Sequence, residues 1–279
     1  VSLLDKTIPY PFQVYFPMLG GEAAKECMEG LRKAATGKGK TDAGFKKWIT
    51  GRFGAGFAKY FMIPYNEKMW RTPLTEIDSE SVRRFIPRVK LSDVRNGISE
   101  REGHGYNALI YYPKRGGIEE LAKAFALELN CVHVNSRVTA IDADSMTVTV
   151  KGKGKTSYAK LVSTMPLPEL IGLIKNIPAD VYRAASELRV CAILSVNLGL
   201  DRPTGNGAHW IYFPEKKFIF HRVGFPSNVS NNVCPRGGGS LTAEISYSGK
   251  NINVSAAVKK VKSGLVSAEI ISRNEKFAC

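Results

Sequence analysis

Over the first hundred residues the apolar positions fall mostly at helical spacing. Ala24, Cys27, Met28 and Leu31 predict a helix over Gly20–Lys33. Phe45, Trp48, Ile49, Phe53, Phe57, Tyr60 and Phe61 predict a second over 42–62. Gly51, Gly54 and Gly56 interrupt it, and glycine is costly in a helix interior. The cluster therefore predicts either two short helices or a close approach by another element. Pro64, in the run PYNEKMW, predicts a break, with Asn66 as a turn or cap residue. Residues 75–86 predict a short helix capped by Thr75 or Asp78, and 90–110 a long polar loop. Residues 1–19 are rich in proline and aromatics and predict extended chain with short turns.

From residue 111 the pattern changes. Ile118, Leu121, Ala122, Phe125, Ala126 and Leu129 make one apolar face of a helix. Apolar and β-branched runs then predict strands at 131–134, 137–142, 145–150 and 158–163, with KGKGK as a hairpin turn. Short helices follow at 167–174 and 178–188, then a long apolar strand at 189–200. HWIYFP and KFIFHRVGF predict two strands joined at Glu215, SLTAEISYS predicts another, and Val254–Leu265 a helix. The fold class expected is α+β (mixed α/β): an antiparallel sheet with helices, beside an α/β portion at 111–175. The strand–loop–helix that normally opens an α/β domain is not seen before that portion.

Composition narrows the function classes. Among 279 residues, 44% are hydrophobic and 23% charged, an ordinary globular balance, and the formal net charge is +15. A basic surface attracts anions such as phosphorylated small molecules, or is merely well solvated. The densest basic stretches, 32–52 and 83–95, match no nucleic-acid module, so no nucleic-acid partner is expected. TGKGKT at 36–41 follows a helix and lacks the first glycine of a Walker loop. Five scattered cysteines contain no CxxC pair, and Cys131 and Cys191 are expected to be buried thiols of a reducing, cytoplasmic compartment. The four histidines have no metal-ligand spacing, so no metal is expected. No apolar run approaches the roughly 20 residues of a membrane helix. The chain starts at Val1 and is expected to be a piece of a longer product.

Four ordered blocks carry a resemblance: FGAGFAKYFMIPYNEKMW, YYPKRGGIEELAKAFA, AKLVSTMPLPEL and HWIYFPEKKFIFHRVGFPSNVS. Together they resemble the flavin-dependent amine-oxidase-like superfamily, in the branch with UDP-galactopyranose mutase and protoporphyrinogen-oxidase-like proteins. The resemblance implies an antiparallel-sheet substrate domain and an incomplete Rossmann-like FAD domain. It divides the chain into 1–110, helical substrate domain; 111–175, partial FAD domain; 176–250, substrate-domain sheet; and 251–279, a return to the FAD domain. The GxGxxG turn that holds the pyrophosphate in this family is not in the sequence, so weak or absent FAD binding is expected of this chain by itself. The flavin-binding segments of the same protein would then be its partner.

The same resemblance implies roles for individual residues, each beside a plainer structural role. Gly116 and Gly117 would lie near the flavin ring, or simply start a helix. Val138, Thr164 and Met165 would lie near the ADP half, or be a core valine and a strand-ending turn. Tyr65, Asn66, Lys68 and Trp70 would bind a sugar or nucleotide by stacking and charge, or plug the helix onto a sheet. Trp210, Tyr212 and Arg222 would line the substrate pocket, with Arg222 as the best anion-binding candidate. The implied activity is that of an FAD-dependent oxidoreductase taking hydride from a C–N or C–C bond, of which this chain carries the substrate-binding region. The alternatives are a mutase-like flavoenzyme acting on a nucleotide sugar, and a non-catalytic binding or scaffolding domain. Catalytic residues stay unassigned, because flavin chemistry asks little of the protein beyond placing the substrate and tuning the ring.

Overall fold

A computed structural model describes residues 1–36, 44–86, 92–94, 111–249 and 251–278. The loops expected at 36–41 and 90–110 lie largely outside the described residues. In chain order the elements are β1 (Ser2–Leu3), β2 (Lys6–Thr7), α1 (Phe12–Tyr15), α2 (Gly21–Thr36), α3 (Gly44–Phe57), α4 (Ile63–Trp70), α5 (Ser79–Arg83) and α6 (Glu119–Leu127). Then come β3 (Val138–Asp142), β4 (Thr147–Val150), β5 (Gly154–Ser157), α7 (Leu167–Leu173), α8 (Ala179–Glu187) and β6 (Ala192–Leu200). The last are β7 (Trp210–Tyr212), β8 (Arg222–Gly224), α9 (Pro226–Val229), β9 (Gly239–Tyr247), α10 (Val254–Ser267) and β10 (Phe277–Ala278). The result is a mixed α/β fold with several helices and antiparallel sheets. It divides into one unit of Val1–Glu120 with Cys191–Cys279, and a second of Leu121–Val190.

The first unit has two apolar cores. Phe12, Phe16, Phe45, Ile49, Phe53 and Phe57 are essentially inaccessible in the helical one. The predicted helix over 42–62 is kinked at Gly54, whose φ of 85° lies in the left-handed region. The kink brings α3 onto α2 at Gly30, so both readings of the glycine cluster hold. Pro64 does not end the helix as expected. It occupies the first turn of α4, where its missing N–H costs nothing, and a π turn at Ala58–Met62 leads into it. Asn66 is buried inside α4, where its Nδ2 donates to the Met62 carbonyl at 2.7 Å. Arg71, in a left-handed conformation, closes this helix, and Asp78 caps α5 by accepting from the Ser81 N–H at 3.0 Å.

The second core lies under a five-stranded sheet of order β10-β6-β9-β8-β7. β6 and β9 pair antiparallel from Ala192↔Tyr247 to Leu200↔Gly239. Ala257, Val261 and Leu265 of α10 are buried in this core. The expected strand KFIFHRVGF forms only at its end, as β8. Phe218 and Phe220 stack instead on each other at 5.6 Å and edge-on against Phe213 at 5.0 and 4.8 Å. The Phe218 N–H closes a turn on the Glu215 carbonyl at 3.3 Å, so the chain up to Phe218 is spent in the turn and the ladder begins only at Arg222.

The second unit carries a three-stranded antiparallel sheet, β3-β4-β5. Residues 131–134 and 158–163, read as strands, are not strands. The turn after β4 closes with the Lys153 N–H on the Val150 carbonyl at 3.0 Å, so the ladder partner of β4 is Gly154–Ser157. Val132, Val134 and Val162 are consequently 52%, 73% and 88% exposed, and Cys131 is exposed rather than buried; Cys191, in the first unit, is half-buried rather than buried. Ile141 and Ala185 are the buried apolar side chains of this unit. The apolar face of α6 is exposed at Leu121 and Phe125. Among the described residues no helix is long and apolar enough to cross a membrane.

Candidate functional site

A cavity of about 200 Å³ in the first unit is walled by α4, α5, the opening segment and the sheet. Several elements bring aromatic rings to it. Phe61 and Tyr65 stack at 5.4 Å with planes 16° apart. Tyr212 on β7 meets Tyr65 edge-on at 5.2 Å and Tyr10 at 5.2 Å. Trp70 and Phe85 also line it and are 36% and 55% exposed. Burial pushes the Tyr65 phenol above its usual value, so it stays a neutral hydroxyl.

Polar groups are few, and each is distinctive. Gln13 lines the cavity, is only 1% exposed, and its Oε1 has no hydrogen-bond partner among the described residues. Such a buried acceptor is expensive unless something pairs with it. Asn66 lines the same space. Arg222 enters from β8 and is forked onto Glu244, its cross-strand partner, with Nε to Oε2 at 3.0 Å and Nη2 to Oε1 at 2.7 Å. His221 is buried, with Nε2 3.4 Å from Glu244 Oε2 and Nδ1 3.4 Å from Ser246 Oγ. Burial works to raise the Glu244 carboxyl, but hydrogen bonds from His221 and Arg222 and their charge outweigh it and hold it at about 2.

Of the substrate-binding candidates, Tyr65, Asn66, Trp70, Tyr212 and Arg222 line this one cavity, and Lys68 and Trp210 do not. Lys68 Nζ donates to the carbonyls of Phe213 and Glu215, both at 2.9 Å, tying α4 to the turn after β7. Trp210 sits two residues before Tyr212 on β7, beside His209. Gly116 is in a left-handed turn at φ 68° before α6, and the Lys114 carbonyl two residues earlier accepts from Asn232 Nδ2. A Cβ on Gly117 would meet only the Tyr112 hydroxyl, at 3.9 Å. In the second unit Val138 opens β3 opposite Val150, while Thr164 and Met165 are exposed in the segment before α7. Gln13, Glu244 and Ser246 were not read from sequence as part of a site; His221 was, beside Arg222, and it is a buried core histidine 3.4 Å from Ser246 Oγ. The signal for Gln13 was its position as a lone amide inside the apolar run YPFQVYF. Among the described residues no three metal-ligating side chains converge.

Lys68 has a pH signature of its own. Burial brings its ammonium down from 10.5 to about 7, against a smaller raising effect of Glu215. Between pH 7 and 10.5 the unfolded chain therefore binds more protons than the native one, and this group adds stability as pH rises. In urea titrations the wild type is expected to gain stability from pH 7 to 10 relative to Lys68→Met. Parallel pH curves for the two proteins would refute it.

The sequence profile of flavin containing amine oxidoreductases matches residues 27–257. A solved structure of reduced UDP-galactopyranose mutase superposes with a TM-score of 0.87 at 28% identity, over 98% of this chain and 61% of that one. A putative protoporphyrinogen oxidase from Exiguobacterium sp. gives 0.60 at 11% identity, over 89% and 56%. A CLA-producing fatty acid isomerase from P. acnes gives 0.58 at 10%, over 99% and 63%. The last two likenesses show the fold alone. This chain spans about three fifths of the length of the structures it matches.

Proposed function

The chain belongs to the flavin containing amine oxidoreductase family, and from that premise we propose that it carries the substrate-binding region of a flavoenzyme acting on a nucleotide sugar. The observation that carries this reading is the composition of one cavity: stacked aromatic rings, a buried amide oxygen unpaired among the described residues, and a fixed guanidinium. Aromatic faces receive a base or sugar ring. The Gln13 amide offers an acceptor and a donor side by side, the complement of a base edge with N–H beside C=O. Arg222 is a planar donor suited to a diphosphate. The 28% identical structure is that of an enzyme named for a UDP-sugar, which supports the same substrate class.

Gly116 and Gly117 would lie near a flat flavin ring, with open space at Gly117 and the Glu120 side chain against Gly116, and Val138, Thr164 and Met165 would lie toward the rest of the FAD. Flavin, when bound, supplies the electron-rich or electron-accepting centre. The protein's part is to stack and orient the nucleotide, hold the diphosphate at Arg222 and shield the sugar from water. In the mutase-like reading the overall reaction is redox-neutral. Oxidation of an amine is the second reading, and the family profile favours it. Against it, a substrate ammonium would meet Arg222, a like charge, in this cavity.

Calorimetric titration with UDP, uridine and a small aryl amine separates the readings. UDP is expected to saturate one site, and Gln13→Leu to weaken both UDP and uridine about tenfold through loss of the base-edge contact. Binding of the amine with no binding of UDP would overturn the proposal. Added FAD is expected to bind weakly to this chain, and a yellow complex with dissociation below about 1 μM would contradict that.

A further inference from the structure

We infer that Glu244 is a positioning residue for the cavity: it fixes the Arg222 guanidinium so that the edge not bonded to it faces a phosphate. The inference rests on the reading that Arg222 meets the ligand's phosphates.

The geometry carries it in three steps. Arg222 and Glu244 are directly paired across β8 and β9, so the ladder, not two flexible side chains, sets their spacing. Both carboxylate oxygens then engage one edge of the guanidinium, through Nε and Nη2. Arginine has five N–H donors in a rigid plane, so clamping that edge aims the Nη1 side. The carboxylate is in turn held from behind. Its Oε2 lies 3.4 Å from His221 Nε2, and His221 Nδ1 lies 3.4 Å from Ser246 Oγ. His221 and Ser246 are 2% and 8% exposed, whereas the Arg222 side chain is 39% exposed. The chain of contacts thus runs from the core of the sheet to the cavity wall.

A carboxylate so close to a phosphate site opposes anion binding through its charge and favours it through Arg222 alignment. The two effects have opposite signs on mutation, which makes the inference testable. Glu244→Gln removes the charge but keeps an oxygen for Nη2. Glu244→Ala removes both.

The experiment measures UDP and uridine binding to the full chain by calorimetry for wild type, Glu244→Gln and Glu244→Ala. It also records the ¹⁵N–¹H signal of Arg222 Nε, assigned with Arg222→Lys. Glu244→Ala is expected to weaken UDP about tenfold and leave uridine within about twofold, with the Arg222 Nε signal lost to exchange. Glu244→Gln is expected to stay within about threefold of wild type for UDP. UDP binding to Glu244→Ala as tight as wild type, or tighter, would overturn the inference, as would an unchanged Nε signal. Equal losses of UDP and uridine would mark a structural role and also overturn it. If no protein binds UDP but the Nε signal is lost in Glu244→Ala, the nucleotide-sugar reading fails while the positioning of Arg222 by Glu244 stands.

Discussion

Arg222→Ala is expected to weaken UDP binding about a hundredfold while leaving uridine within a few-fold. Charge-assisted hydrogen bonds are each worth about 1.5–3 kcal/mol, and about 2.7 kcal/mol is a hundredfold in affinity. The effect should be this large because the site is walled by aromatic rings and the guanidinium is already aligned, so little ordering cost offsets its bonds. Equal losses for UDP and uridine would mean that Arg222 supports the pocket wall instead of meeting phosphate. The same substitution has a second, independent readout. The Glu244 carboxyl is held at about 2 against an ordinary 4.5. Its contribution to stability is complete above pH 4.5 and is lost as pH falls toward 2. Without Arg222 that depression shrinks. The wild type should therefore exceed Arg222→Ala by about 2 kcal/mol at pH 7, after discounting for solvent screening, and the gap should close through that acidic window.

Gly54→Ala is expected to destabilise the chain by about 4 kcal/mol or more, enough to unfold the helical part of the first unit. Gly54 has φ of 85°, where any L side chain is strained. A Cβ there would lie 2.2 Å from the Gly30 carbonyl carbon and 2.3 Å from its oxygen. Those are backbone atoms of α2 and cannot rotate away, so the two helices must separate. Gly56→Ala meets the Cys27 nitrogen at 2.4 Å and should behave in the same way. Gly172→Ala is the control, since nothing lies within 4 Å of its Cβ position and alanine favours a helix. Thermal unfolding followed by circular dichroism compares the three. A Gly54→Ala protein melting with the wild type would show that α2 and α3 are not pressed together at that point. The consequence reaches the cavity, because α3 runs through the π turn into α4, which carries Tyr65, Asn66 and Trp70.

Where the sequence succeeded and where it did not follows one division. The period of the apolar positions determined α2, α3, α6 and α10, and runs of β-branched and apolar residues determined β3, β4, β6 and β9. Glycines at 54 and 56 signalled a close approach, and the four ordered blocks carried the resemblance to the flavoprotein family. These are local signals, since a few neighbouring residues suffice to say which face of an element is to be buried. They do not say against what. Residues 158–163 look like a strand because they are apolar, but Gly154–Ser157 took the ladder beside β4 through the geometry of a turn. Pro64 obeyed its local rule only in that it sits in a helix's first turn. The π turn ahead of it allowed the chain to continue, and nothing in the residue itself announces such a turn. Lys68 looks like a ligand for an anion, yet two carbonyls about 145 residues away hold it. Tertiary structure alone decided that Gln13, Tyr65, Tyr212 and Arg222 share one cavity, and that Glu244 stands behind the arginine. They are brought together by helix packing and strand register between segments distant in the chain, and such long-range pairing leaves no period in the sequence.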